Sequence, residues 1–127
     1  MDEMRHIPGL YLAHTQKGRS MFTAEKVDKG GIIETCPILW IPESEIKTVH
    51  STVLHDYYFV WPAGGIAIAL GYGSIYNHSS RPNAVVVFDI EDREIVIEAA
   101  CDIQPGEEIL IDYSDGNPDH PLWFDEE

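Results

Sequence analysis

Short apolar runs separated by tight turns constrain this chain more than any other feature. Residues 10–13 and 21–24 are strand candidates on either side of the polar Thr15-Gln16-Lys17-Gly18-Arg19-Ser20 turn. Asp28-Lys29-Gly30-Gly31 is a strong turn into an apolar run over residues 32–41, broken at Pro37. Pro42-Glu43-Ser44-Glu45 suits the first turn of a helix, with proline and acids where they fit best. Ile46, Val49, Val53 and Leu54 carry helical spacing, but β-branched residues keep that helix short. Tyr57-Tyr58-Phe59-Val60-Trp61 reads as a strand, and Pro62-Ala63-Gly64-Gly65 turns it into residues 66–70. Residues 85–88 and 95–97 flank an acidic turn over 89–92, which predicts a hairpin. A turn over 102–106 leads to a last strand over 108–113. This is the pattern of a small, mainly β domain.

With 127 residues there is room for one core and one domain. A hydrophobic content of 44% is enough to build that core, which excludes a disordered chain. No apolar run approaches the ~20 residues that span a bilayer, and Met-Asp-Glu-Met-Arg-His lacks the apolar stretch of a signal peptide. Cys36 and Cys101 give no disulfide framework, so a soluble protein of the reducing cytoplasm is expected. Neither they nor the histidines show metal-ligand spacing, and no metal is expected. With 22 acidic against 8 basic residues the formal net charge is −14, the wrong sign for binding nucleic acid. That surface favours encounter with cationic partners such as lysine-rich protein segments.

Two motifs carry chemistry. Residues 71–83 read Gly-Tyr-Gly-Ser-Ile-Tyr-Asn-His-Ser-Ser-Arg-Pro-Asn, and residues 106–113 read Gly-Glu-Glu-Ile-Leu-Ile-Asp-Tyr. By itself Asn77 suits an Asx-turn, His78 a structural histidine, and Tyr113 a buried strand tyrosine. In this order and spacing the two segments resemble the paired signature of SET-domain protein-lysine methyltransferases. The first matches the family's Asn-His-Ser and Pro-Asn at Asn77, His78, Ser79, Pro82 and Asn83; the second matches its strand closing on the catalytic tyrosine, Tyr113. The resemblance extends to Lys17-Gly18-Arg19-Ser20-Met21-Phe22, like the family's Gly-x-Gly motif with a following aromatic, although Ser20 replaces the second glycine.

The resemblance implies a mainly β fold, the SET-domain β-clip, with a pseudoknot formed by the Asn77 and Tyr113 segments and one or two short helices. It implies one catalytic domain over 1–127, with 114–127 as a tail covering the cofactor and substrate site. S-adenosylmethionine would bind on one face, leaving as S-adenosylhomocysteine, and the target lysine would enter from the other. This two-sided access suits in-line displacement at the methyl carbon. Lys17, Gly18, Arg19, Asn77 and His78 would hold the cofactor, together with Tyr113. Trp123 or Phe124 would cover its adenine, since no cysteine follows Cys101 to build the zinc cluster that many larger relatives carry.

Tyr113 would orient the lysine nitrogen, assisted by Tyr57. Tyr57, Tyr58, Tyr76 and Ile111 would line the substrate channel. Strand alternation lets only one of Tyr57 and Tyr58 face it, and Tyr57 is favoured. Ile111 stands where many relatives place a Phe or Tyr that limits methylation, which leaves room for higher methylation states. The expected partner is a lysine-bearing, basic protein segment, with no nucleic acid and no membrane; a homodimer could complete the substrate groove. Two other readings stand beside the enzyme: a SET-like domain that turns over poorly, and a non-catalytic acidic β-domain that binds basic proteins. The joint presence of Asn77, His78 and Tyr113 argues against the last of these, and cofactor binding without methyl transfer would separate the other two.

Overall fold

The chain is described by a computed structural model over residues 5–112. Its largest sheet has five strands in the order β4-β5-β3-β8-β7, formed by β3 (Ile32–Ile41), β4 (Tyr58–Val60), β5 (Ile66–Ala69), β7 (Ala84–Asp89) and β8 (Glu94–Ala99). All its pairings are antiparallel. A separate hairpin joins β1 (Leu10–Thr15) to β2 (Gly18–Thr23), and β6 (Asn77–His78) pairs in parallel with β9 (Leu110–Ile111). The fold is mainly β, as the turn-punctuated sequence predicts.

The alternation of β8 shows how the sequence builds the sheet. Ile95, Ile97 and Ala99 are buried while Glu94, Val96 and Glu98 are half-exposed. A strand places successive side chains on opposite faces, so this pattern fixes which face meets the core. The buried face is joined by Ile33 and Cys36 of β3, Ala84 and Val86 of β7, and Met21, Tyr76, Ile103, Ile109 and Ile111 from outside the sheet. Each fully buried isoleucine contributes about 1.5–3 kcal/mol through lost contact with water. The core therefore lies between the five-stranded sheet and the two motif segments.

Pro37 does not break the apolar run: β3 is continuous through it. Residues up to Pro37 pair with β8, and Ile38 onward pairs with β5. The missing proline N–H thus falls where the strand changes partners, and the Pro37 carbonyl still accepts from Leu70. The helical segment is short, as β-branching predicts: a 3-10 turn over Glu43–Glu45, α1 over Ile46–His50, and a second 3-10 turn over Val53–Asp56 capped by Thr52 Oγ1. Its apolar spacing does not seat it in the core, because none of the three pieces contains a buried residue. Among the described residues no helix is long and apolar enough to cross a membrane.

Two boundaries differ from the sequence reading. Tyr57 precedes β4 and closes the second 3-10 turn, its N–H donating to the Leu54 carbonyl. Among the described residues, the strand expected over 108–113 is regular over Leu110–Ile111. Its partner β6 is equally short, and the Leu110 N–H is taken by the side chain of Asn83.

Candidate active site

The β1–β2 hairpin brings the first candidate residues into place. Lys17 N–H donates to Thr15 Oγ1 at 3.1 Å, and Gly18 closes the turn at φ +99°, a conformation that favours glycine. A Cβ at Gly18 would meet nothing within 4 Å, so the backbone here is open to close approach. Ser20, the residue that replaces the family's second glycine, fits β2 with its side chain fully buried. Its hydroxyl lies 2.9 Å from Thr15 Oγ1 and accepts from Asn77 Nδ2 at 2.9 Å. The substitution therefore adds a link between the two motifs.

Asn77 is the hub of the site. Its Nδ2 also reaches the Arg19 carbonyl at 3.2 Å and Glu108 Oε2 at 2.8 Å. Every one of these partners accepts, which fixes the amide with nitrogen inward. Among the described residues Oδ1 has no partner and remains an acceptor. Glu108 is held in turn by Lys17, whose Nζ lies 2.7 Å from Oε1. A chain of hydrogen bonds thus runs Thr15–Ser20–Asn77–Glu108–Lys17, tying the hairpin, β6 and the segment before β9 together.

The two motif segments also join through their backbones. Ser79 N–H donates to the Ile111 carbonyl at 2.9 Å, and Asn83 N–H to the Leu110 carbonyl at 3.2 Å. The Asn83 side chain behaves like one more peptide group: Oδ1 accepts from Leu110 N–H and Nδ2 donates to the Glu108 carbonyl, both at 2.8 Å. The turn after His78 is closed by Ser79 Oγ, which accepts from Arg81 N–H, rather than by an Asx-turn at Asn77. This side-by-side packing is what the expected pseudoknot requires.

The remaining candidates divide. His78 pairs with Ile111 in β6–β9, and its nearly enclosed ring places Nδ1 3.7 Å from Asp112 Oδ1. Arg19 Nη2 donates to the Tyr57 hydroxyl at 3.4 Å, so Tyr57 reaches the hairpin motif. Tyr58 turns elsewhere: its hydroxyl lies 3.0 Å from His50 Nδ1, and burial raises its pKa. Tyr76, expected in the substrate channel, is instead a core residue with 0% exposure whose hydroxyl donates to Glu34 at 2.7 Å. Ile111 sits in the core with 0% exposure. Tyr113, Trp123, Phe124 and the tail over 114–127 lie outside the described residues.

Sequence reasoning left Ser20, Glu108 and Asn83 without roles. Asn83 lay inside the quoted motif, and a glutamate at the head of the Ile109-Leu110-Ile111 run was the available signal for Glu108.

Comparison with known proteins agrees with this geometry. The SET domain family model matches residues 18–114. Over 113 residues the chain is 34% identical to the Schizosaccharomyces pombe histone-lysine N-methyltransferase specific for H3 lysine-37, covering 88% of this chain and 74% of that protein. The crystal structure of a Plasmodium falciparum protein described as a candidate histone methyltransferase superposes with a TM-score of 0.72 at 32% identity, covering 91% of this chain and 97% of that one. The chain belongs to the SET-domain family of protein-lysine methyltransferases.

Proposed function

We propose that this protein uses S-adenosylmethionine to methylate lysines in basic protein segments, with the cofactor seated at the junction of the hairpin, Asn77 and the Glu108 segment. The observation that carries this reading is the Asn77 amide, locked nitrogen-inward with Oδ1 left as an acceptor. The residues present suit the cofactor's groups. Asn77 Oδ1 would accept from its ammonium, the exposed Arg19 would meet its carboxylate, and Gly18 would allow its chain to lie against the backbone. When bound, S-adenosylmethionine supplies a methyl group activated by an adjacent sulfonium.

The chain's own residues would position the acceptor and favour its neutral form, the proton leaving to solvent before transfer. A lysine ammonium near pKa ~10.4 must lose its proton before its lone pair can form the new N–C bond. An aromatic channel lowers that pKa by desolvation. From the sequence resemblance, Tyr113 would orient the neutral amine, and Tyr57, tied to Arg19, would stand between the cofactor face and the lysine face. The net charge of −14 supports steering of cationic segments. Histone tails are one such class, in keeping with the named activity of the fission-yeast relative.

The test is transfer of a labelled methyl group to a panel of histone H3, other lysine-rich proteins and an acidic control. Methyl-lysine in the basic proteins, reduced at least about 100-fold in Tyr113→Phe, is the expected result. No transfer to any of them, with the cofactor bound, would leave the reading of a SET-like binding domain.

A further inference from the structure

A buried carboxylate stands behind the cofactor motif and takes no part in the site described above. Glu34 lies on β3 and is 2% exposed. Its two oxygens divide their work: Oε2 accepts the backbone N–H of Tyr72 at 2.9 Å, and Oε1 accepts the hydroxyl of Tyr76 at 2.7 Å. These partners lie within and just after the turn over residues 70–75 that leads into Asn77.

The turn is shaped around that carboxylate. Gly71 has φ +67°, and a Cβ there would come within 2.6 Å of Glu34 Oε2. At Gly73 a Cβ would meet Cys36 Sγ at 2.8 Å and Ala69 Cβ at 2.6 Å. Ser74 Oγ donates to the Ala69 carbonyl at 3.1 Å. The segment is therefore pressed onto β3 and β5 at several points, and glycine is needed where it passes Glu34. A leucine would fill this space without the cost of taking a carboxylate out of water. What the carboxylate adds is direction, because its two hydrogen bonds hold the turn at Tyr72 and the chain just beyond it at Tyr76.

We propose that Glu34 is a positioning residue of the methyltransferase site, setting through Tyr72 and Tyr76 the place at which β6 presents Asn77 to the cofactor. Burial, and after it the charge of Glu34, raises the pKa of the Tyr76 hydroxyl and of the Cys36 thiol, so both keep their protons across the working range. The Tyr76 hydroxyl therefore remains a donor to Glu34.

This inference rests on the cofactor site proposed above, and the experiment separates the two. Calorimetric titration with S-adenosylhomocysteine is run on the wild type, Glu34→Leu, Glu34→Gln, Tyr76→Phe and Phe88→Ala. The last opens a cavity in the aromatic group of Phe59, Trp61 and Phe88 and serves as a control for general destabilisation. Glu34→Leu should weaken binding about 100-fold, the scale expected of a small misplacement, and Tyr76→Phe should follow in the same direction. Glu34→Gln should stay within about threefold, because glutamine can accept from Tyr72 and donate to the Tyr76 oxygen. With lysine peptide saturating, KM for the cofactor should rise more than kcat falls.

Amide hydrogen exchange supplies a readout that needs no cofactor: protection of Ser79 N–H, bonded to Ile111, should fall in Glu34→Leu and persist in Phe88→Ala. Equal losses in Glu34→Leu and Phe88→Ala, or a Glu34→Gln variant as impaired as Glu34→Leu, would overturn the assignment. A wild type that binds no S-adenosylhomocysteine yet shows the exchange difference would sink the cofactor reading and leave Glu34 as the support of β6.

Discussion

Replacing Asn83 tests the way the two motifs are joined. Its side chain makes two hydrogen bonds to backbone, accepting from Leu110 N–H and donating to the Glu108 carbonyl, each at 2.8 Å. Asn83→Ala removes both and leaves those backbone groups without their partners in a half-buried place. A stranded buried group costs roughly 1–3 kcal/mol. Partial access to water puts the sum near the lower half of that range for each group, about 2–4 kcal/mol in all. For a domain of this size that corresponds to a fall in melting temperature on the order of 10 °C.

Asn83→Asp separates acceptor from donor. The carboxylate still accepts from Leu110 but turns an oxygen toward the Glu108 carbonyl, where wild type has an N–H. Near neutral pH this variant should be at least as unstable as the alanine variant. Protonation restores a donor, so the folded form holds its proton more tightly than the unfolded form does. Its stability therefore rises as pH falls and is lost as pH climbs through the raised folded pKa. Urea unfolding of wild type and both variants between about pH 5 and pH 8 measures this directly. An aspartate variant as stable as wild type across that range, or an alanine variant within about 0.5 kcal/mol of it, would refute the reasoning.

Three further outcomes follow from the buried groups and the chemistry. The pKa values of Cys36, Tyr58 and Tyr76 are all raised, chiefly by burial, so the folded state keeps protons that the unfolded state sheds in alkali. Their contribution is intact below the ordinary thiol pKa and lost above it: the melting temperature should fall progressively above roughly pH 8.5, less steeply in Cys36→Ala. A thiol reagent at neutral pH should label the exposed Cys101 and reach Cys36 only after unfolding, as mass spectrometry of the native and denatured protein would show. Under saturating cofactor, kcat/KM for a lysine peptide should rise from neutral toward about pH 9, and a flat profile would contradict a nucleophile that must first lose its proton.

Sequence pattern carried most of the sheet because its apolar runs are set off by clear turns, and β8 declares its faces residue by residue. It misjudged Pro37, since a change of pairing partner is a tertiary event that no local rule contains. Ser20 and Asn83 were visible as motif positions, but their partners lie across the fold: Ser20 meets Asn77, and Asn83 meets Glu108 and Leu110. Tyr76 was expected in a channel because it is aromatic and next to Asn77; only the packing reveals that its ring points into the core toward Glu34. Glu34 was legible in one sense, as a lone acid within an apolar run, yet that pattern does not say which groups the acid holds.

The most direct test of the central claim is calorimetric titration of S-adenosylhomocysteine into the wild type and Asn77→Ala, well below the melting temperature of both. If the amide at the meeting point of hairpin, β6 and Glu108 receives the cofactor, the wild type binds and the variant binds at least about tenfold more weakly, a loss of about 1.4 kcal/mol. A variant that remains folded and binds as tightly as the wild type would contradict the placement of the site.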